Sequence, residues 1–242
     1  MDVSIDVSLW KRVCKSLKDL CVDVNMHVDP TEGMYLTSMD TAHVCLARVV
    51  IPPTLFHAYA CEKHVTFGVH IPHLCMVLDC LHDAQGHVQM SVQDDKLVLR
   101  AHGTSFGIPL LDIEEDEVMI PDIDFTHMWT CASPTYKQLV TDIQKFGSTA
   151  VIHLSPTGVT VSTTGEVGDF TRQFSHAACA ASTPPLRLAL ATRYLHHFAK
   201  ATVLSSDVVL QTSPKNTPFV VHFGLGHGGH VTFYLAPHCE ED

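Results

Sequence analysis

Pro30-Thr31-Glu32-Gly33-Met34-Tyr35-Leu36-Thr37-Ser38 is a turn followed by an alternating strand. Pro156-Thr157-Gly158-Val159-Thr160-Val161-Ser162-Thr163 repeats that pattern at a similar depth in the other half of the chain. Between the two copies, seven acids (Asp112, Glu114, Glu115, Asp116, Glu117, Asp122 and Asp124) surround Val118-Met119-Ile120-Pro121-Asp122, a stretch with neither helical nor strand periodicity. The chain is therefore expected to be a duplication: two similar domains over residues 1–113 and 130–242, joined by a connecting loop over 114–129.

Four segments outside these turns have helical periodicity. In Leu9 to Cys21, the residues Leu9, Trp10, Val13, Cys14, Leu17, Leu20 and Cys21 share one side. Lys11, Lys15 and Lys18 line the other, with Arg12 beside them. Pro134 to Phe146 turns Tyr136, Leu139, Val140, Ile143 and Phe146 inward and leaves Lys137, Gln138, Thr141 and Lys145 outward. Thr192 to Ala201 packs Tyr194, Leu195 and Phe198 and projects Arg193, His196, His197 and Lys200. The fourth, Pro72 to His82, exposes Met76 and Asp79 and no base. Most of the rest alternates, as in Gln89-Met90-Ser91-Val92 and Lys96-Leu97-Val98-Leu99-Arg100, or is rich in β-branched residues, so the expected class is α+β.

The composition, 46% hydrophobic and 17% charged over 242 residues, is that of a folded chain with a substantial core. Met1 to Arg12 lacks an apolar core followed by a small-residue cleavage site, and no apolar run approaches a bilayer span, so an intracellular protein without membrane contact is expected. Nine cysteines without a C-x-x-C pair fit reduced, packed thiols better than disulfides or a thiolate zinc site. A net charge of −11 ordinarily argues against a nucleic-acid partner. Here the acids crowd into the connector and into Glu240-Glu241-Asp242, while eight of the fifteen bases lie on three helix faces.

Several runs carry a family resemblance. Gly33-Met34-Tyr35-Leu36-Thr37-Ser38-Met39-Asp40-Thr41-Ala42-His43-Val44-Cys45-Leu46 resembles a signature strand and turn of the proliferating cell nuclear antigen family, the eukaryotic DNA sliding clamps. Tyr59-Ala60-Cys61-Glu62-Lys63 with Phe67-Gly68-Val69 resembles its second signature. Gly165-Glu166-Val167-Gly168, then Arg193-Tyr194-Leu195 with Phe198-Ala199-Lys200-Ala201-Thr202, and Tyr234-Leu235-Ala236-Pro237 before an acidic tail follow in family order. The resemblance implies a clamp fold, with two channel-lining helices and outer antiparallel sheets in each domain. Three such subunits would close into a homotrimeric ring around double-stranded DNA, a non-enzymatic processivity factor without metal or cofactor, located in the nucleus. Contacts to phosphates would carry no sequence preference.

On that resemblance Lys11, Arg12, Lys18, Arg193 and Lys200 match the family's channel bases. Lys15, Lys137 and Lys145 join them by helical position, and Lys63 by its place near the channel wall. Partners (DNA polymerase, clamp loader, nuclease and ligase type proteins) would dock short hydrophobic and aromatic peptides in a pocket beneath the connector. Met39, His43, Val44 and Leu46 match one wall; Val118, Ile120, Pro121 and Phe125 the connector wall; Pro218 and Tyr234, Leu235, Ala236 and Pro237 the floor. Subunits would join through Phe106, Ile108 and Leu110 of one edge strand, spanning Phe106 to Leu111, and Phe170, Arg172 and Phe174 of another, spanning Phe170 to His176.

The chain departs from the family at Met76 and Asp79, where bases are usual, and at Gln138 and Thr141, which implies a weaker hold on DNA. Gly107 and Pro109 in an edge strand imply a weaker subunit contact. Pro156 replaces a modification lysine before the turn glycine, so ubiquitin attachment there is not expected. A subunit of a heterotrimeric or checkpoint-type clamp would have a similar sequence and stays open as the alternative. Two other readings carry less. Gly103-Thr104-Ser105-Phe106-Gly107 fits the serine-hydrolase elbow G-x-S-x-G, but Ile108-Pro109-Leu110-Leu111 runs extended where that motif needs a helix. His222, His227 and His230, spaced across glycines, decorate a hairpin and do not make a metal site.

Overall fold

A computed structural model describes residues 1–81, 86–114, 120, 123–175, 179–180, 182–214 and 217–238. The chain divides into two compact units. Met1–Met119 forms the first together with the hairpin tip Gly224–Val231, and Ile120–Phe223 with Thr232–Asp242 forms the second.

In the first unit, β1 (Asp2–Asp6) leads directly into α1 (Val7–Leu17). Three antiparallel strands follow, β2 (Asp23–Asp29), β3 (Gly33–Met39) and β4 (Cys45–Ile51), and then β5 (Phe56–Ala60) and β6 (Val65–His70). After α2 (Ile71–Asp79) come β7 (His87–Gln93), β8 (Lys96–Ala101) and β9 (Thr104–Pro109). One sheet has the order β5-β1-β7-β8-β9, and in the other β2 lies between β6 and β3, with β4 beyond β3.

The second unit repeats this path. It contains β10 (His127–Ala132), α3 (Ser133–Phe146), β11 (Thr149–Ser155), β12 (Gly158–Gly165), β13 (Gly168–Phe174) and β14 (Leu186–Ala191). Next come α4 (Thr192–Phe198), a 3-10 turn over Ala199–Val203, β15 (Asp207–Thr212), β16 (Phe219–Gly226) and β17 (Gly229–Leu235). β11 pairs with β12 and β14 as β2 pairs with β3 and β6, and β10 pairs with β15 as β1 pairs with β7. The two turn-and-strand segments recognised in the sequence are the matching hairpins β2–β3 and β11–β12, and the α+β reading holds.

The helices differ from their expected bounds for local reasons. α1 begins at Val7 and not Leu9 because the Asp6 carboxylate accepts the Leu9 backbone N–H at 2.7 Å, capping the first turn. Proline sits in the first turn of α2 and of α3, where its missing N–H has no helical partner to lose. The Thr192 to Ala201 helix tightens to 3-10 geometry from Ala199, with the Thr202 hydroxyl donating to the Ala199 carbonyl at 2.6 Å. β9 ends at Pro109, and β13 runs Gly168–Phe174; His82 and His176, expected at element ends, lie outside the described residues.

Each core forms where helices meet sheet. In the first unit Trp10, Val13, Leu17, Leu74 and Leu78 are buried with Val3, Ile5, Met26 and Ile51. In the second, Phe198 stacks on Phe233 with ring centroids 4.5 Å apart, and Tyr136 packs edge-on to Phe223 while its hydroxyl donates to the Leu195 carbonyl at 3.1 Å. Among the described residues no helix is long and apolar enough to cross a membrane.

Two glycines separate backbone strain from close approach. Gly33 has φ +91°, and a Cβ there would run into the Ile51 carbonyl oxygen, whereas Gly103 has φ +76° with open space around it. Gly33→Ala is expected to cost about 2 kcal/mol or more and Gly103→Ala about 1 kcal/mol. Urea denaturation of the two variants measures the difference; equal losses would contradict the close approach at Gly33.

Candidate nucleic-acid interface and docking surfaces

The exposed faces of α1, α3 and α4, with the turns that end them, carry the chain's concentrated bases. On α1, Lys11 and Lys15 both reach Asp79 of α2, with Nζ to Oδ1 distances of 3.0 and 2.7 Å. These bonds hold the Asp79 carboxyl below the usual carboxylate range, Lys15 contributing most. Arg12 is exposed and its Nε donates to the Ser8 carbonyl at 3.2 Å, while Lys18 is exposed just past the helix. Met76, three residues before Asp79 on α2, is 65% exposed.

In the second unit Lys137 is exposed on α3, and Lys145 pairs with Asp142 at 3.1 Å within that helix. Arg193 is exposed on α4 with its guanidinium 4.8 Å from the Tyr194 ring centroid, and Lys200 lies half-buried in the 3-10 turn. His197 is held below the usual histidine value, first by burial and then by His196 and Arg193. Lys63 is exposed on the loop between β5 and β6, off both helices of its unit. The structure thus puts all the sequence-selected bases but Lys63 on the helices or the turns that end them. It also supplies the acid the sequence could not assign, since nothing in the spacing of Lys11, Lys15 and Asp79 reveals that they meet.

A cleft of about 280 Å³ lies beside β2 and β3. It is bounded by the Met39–His43 turn and by Ile113 and Glu114, with Asn25 and His27 also in its lining. Gly68 makes the second wall possible, because a Cβ there would collide with the Leu111 carbonyl and lie 2.9 Å from Ile113 Cδ1. The Leu111 N–H bonds the Gly68 carbonyl at 2.9 Å, and Asn25 Nδ2 donates to the Ile113 carbonyl at 3.1 Å. Asp40 builds the first wall, its carboxylate accepting the N–H groups of Val44 at 2.8 Å and Cys45 at 2.7 Å. That holds His43 at φ +55°, with its Nδ1 3.3 Å from Met39 Sδ.

Of the expected docking residues, Met39 and His43 line this cleft, Val44 is half-buried and Leu46 is buried. In the second unit Ile120, Phe125, Pro218, Tyr234 and Pro237 are half-buried, Ala236 is exposed and Leu235 is fully buried in the core; Val118 and Pro121 lie outside the described residues. Asn25, His27, Asp40 and Ile113 were not singled out by sequence reasoning. Their signal was faint: an Asp at a turn with β-strand on either side, and polar residues alternating along β2.

Two strands, β9 and β13, end their sheets. Phe106 and Ile108 lie opposite Leu99 and Leu97, on the buried face of β8, and Ile108 is itself buried. Phe170 and Arg172 lie opposite Thr163 and Val161, on the buried face of β12, and Phe174 opposite Val159. Phe170 packs near Phe146, Phe174 near Trp129, and the Arg172 guanidinium lies 5.1 Å from the Phe174 ring centroid. Leu110 follows β9 and donates its N–H to the Asp95 carbonyl at 2.9 Å.

Ser105 is an exposed residue within β9, paired opposite Arg100, with strand and not helix after it. His222 Nδ1 lies 2.8 Å from Thr232 Oγ1, and His230 Nδ1 3.2 Å from the Gly228 carbonyl. Among the described residues no group of three or more His, Cys, Asp or Glu side chains could hold a metal ion. Cys21 is pushed up to about 11 by burial, and burial raises Cys14 and Cys45 further, which leaves these thiols protonated and inert.

Family models match nearly the whole chain. Residues 4–105 match the N-terminal domain of proliferating cell nuclear antigen, and residues 119–238 match its C-terminal domain. The chain belongs to the proliferating cell nuclear antigen family. Membership implies a sliding clamp of DNA replication, and clamps of this family are non-enzymatic.

Asp40→Ala should release the Met39–Cys45 turn without unfolding the unit. Hydrogen bonds to a charged acceptor contribute about 1.5–3 kcal/mol, so exchange of the Val44 and Cys45 amides should speed up by about tenfold or more. Amide exchange by NMR reads this, and unchanged protection at both positions would remove Asp40 from its structural role.

Proposed function

We propose that the chain is a replicative sliding clamp that closes as a homotrimer around double-stranded DNA in the nucleus. Lys11, Arg12, Lys15, Lys18, Lys137, Lys145, Arg193 and Lys200 offer charge to phosphates from the helix faces, and Lys63 contributes from its loop. Such contacts are independent of sequence, which lets the ring translate along the duplex. Polymerase, clamp loader, nuclease and ligase type partners dock hydrophobic and aromatic peptides, a reading supported in the first unit by the cleft beside Met39, His43 and Val44.

The observation that carries the trimer is the pair of open strands. Among the described residues β9 and β13 each end a sheet, as β5, β6, β10 and β14 also do, and they carry Phe106 on one and Phe170, Arg172 and Phe174 on the other. Two different edges on one chain make a head-to-tail contact, which closes into a ring when the rotation permits. A heterotrimeric or checkpoint-type clamp is the second reading, favoured by Gly107 and Pro109 in β9, which weaken that edge.

Light scattering coupled to size exclusion decides between them. A mass of three subunits, reduced to one by Phe106→Asp, supports the homotrimer; a monomeric wild-type protein supports assembly with other chains. Retention on circular but not linear duplex DNA tests encirclement directly.

The pH response has a definite sign. His197 is neutral at pH 7 and, being held below the usual 6.5, gains its proton only as pH falls beneath that value. The added cation beside Arg193 should then strengthen duplex binding. Fluorescence anisotropy at pH 5.5 and 7.5 should show the gain, and His197→Asn should reduce it; an equal gain in the variant would remove His197 from the effect.

A further inference from the structure

Asp79 joins two cations of α1 to a single carboxylate oxygen. Lys15 Nζ lies 2.7 Å and Lys11 Nζ 3.0 Å from its Oδ1. The two lysines are one helical turn apart, so one acid on the neighbouring helix meets both at once. Burial raises the nearby Cys75 thiol above its usual value, so it stays neutral and supplies no further charge.

These ion pairs are not what holds α1 to α2. The helices are joined by fully buried Leu74 and Leu78 on one and Trp10, Cys14 and Leu17 on the other, while the paired side chains are 26%, 44% and 49% exposed. Exposed pairs of this kind add little to stability because water and salt screen them. Their main consequence is electrostatic: one carboxylate engages both ammonium groups and offsets one of their two charges, beside an exposed Met76 that brings no charge.

We propose that Asp79 is an internal competitor for DNA phosphate, occupying on Lys11 and Lys15 the position a backbone phosphate would take. This rests on the clamp reading, which sets the helix faces against the duplex. A phosphate arriving at α1 must displace the Asp79 carboxylate, so the gain from each lysine is offset by the pair it breaks. Arg12 and Lys18 then provide more of the first unit's attraction than Lys11 and Lys15, and Lys137, Arg193 and Lys200 carry the larger share. The outcome is a loosely held duplex and a grip that is graded along the chain.

The test is binding of a short duplex by fluorescence anisotropy from 50 to 200 mM salt, using wild type, Asp79→Asn, Asp79→Ser, Lys11→Gln/Lys15→Gln and the triple variant carrying Asp79→Asn. The expected result is an affinity gain of about 3- to 10-fold for Asp79→Asn and Asp79→Ser, with the slope of log K against log salt steeper by about 1 to 2. In the Lys11→Gln/Lys15→Gln background the substitution of Asp79 should have no more than the small effect of removing one distant charge. An unchanged affinity and slope in both Asp79 variants, or the same gain with and without the two lysines, overturns the proposal. Arg193→Gln separates this failure from failure of the clamp reading: if it weakens binding while Asp79 is silent, the clamp reading stands and the competitor does not. If no variant binds the short duplex measurably, the competitor proposal falls, and retention of the wild type on circular DNA decides the clamp reading separately.

Discussion

Everything on the functional surfaces depends on four short helices burying one face each against sheet. Helices of seven to fourteen residues do not persist alone in water, so their stability comes from tertiary packing. Trp10, Val13 and Leu17 on α1 and Leu74 and Leu78 on α2 provide that packing in the first unit; Tyr136, Leu139, Ile143 and Phe198 do so in the second. Once those faces are fixed, the remaining residues of each helix have only water, or another charged surface, to face. The bases are thereby gathered onto helices, while the acids crowd into the connector and the C-terminal tail. A net charge of −11 is then compatible with a DNA-binding protein, because attraction depends on the local field of a face more than on the total.

The duplication, the helix faces and the α+β class were legible because they rest on periodicity, which short-range burial enforces. Lys11, Lys15, Lys137 and Arg193 could be placed on polar faces from spacing alone. Boundaries depended on interactions that spacing does not encode: the Asp6 side chain starts α1 earlier, and the Thr202 hydroxyl accompanies the change to 3-10 geometry. The cleft was half legible. Met39 and His43 sit on a recognisable turn, but the wall opposite them requires Gly68 to admit Leu111 and Ile113 from more than forty residues away. Asp79 shows the same limit in charge. Its exposure followed from helix geometry, whereas its bonds to two lysines needed the packing of α1 on α2.

Charge and backbone geometry act at different ranges in this chain. Asp40 works through two short hydrogen bonds and shapes a turn; Asp79 works through two screened ion pairs and alters a surface field. Removing the first leaves buried amide groups without a partner, and removing the second leaves only solvated ammonium groups. The physical cost is therefore structural at Asp40 and electrostatic at Asp79, although both are part-exposed aspartates on the first unit.

The edge strand β9 can be analysed the same way, donor by donor. His102 at φ +51° and Gly103 at φ +76° form a type I′ turn, which makes the flanking Ala101–Thr104 pair a hydrogen-bonded one. Counting along the ladder, Thr104, Phe106 and Ile108 turn their N–H groups toward β8, and the Leu110 N–H continues that side by bonding Asp95. Ser105, Gly107 and Pro109 turn theirs outward, so the proline leaves the β8–β9 pairing intact and deletes a donor only from the open edge. Gly107, with Lys96 Cδ 3.3 Å from where its Cβ would be, adds no side chain to that edge. A partner strand would find two outward donors instead of three and would depend more on the aromatic contact of Phe106. The same proline protects the monomer, since an edge short of donors is a poorer template for indiscriminate pairing. One residue thus both removes a donor that a partner strand would use and guards the edge against misassembly, and any strand that pairs there must make up the missing bond by side-chain burial.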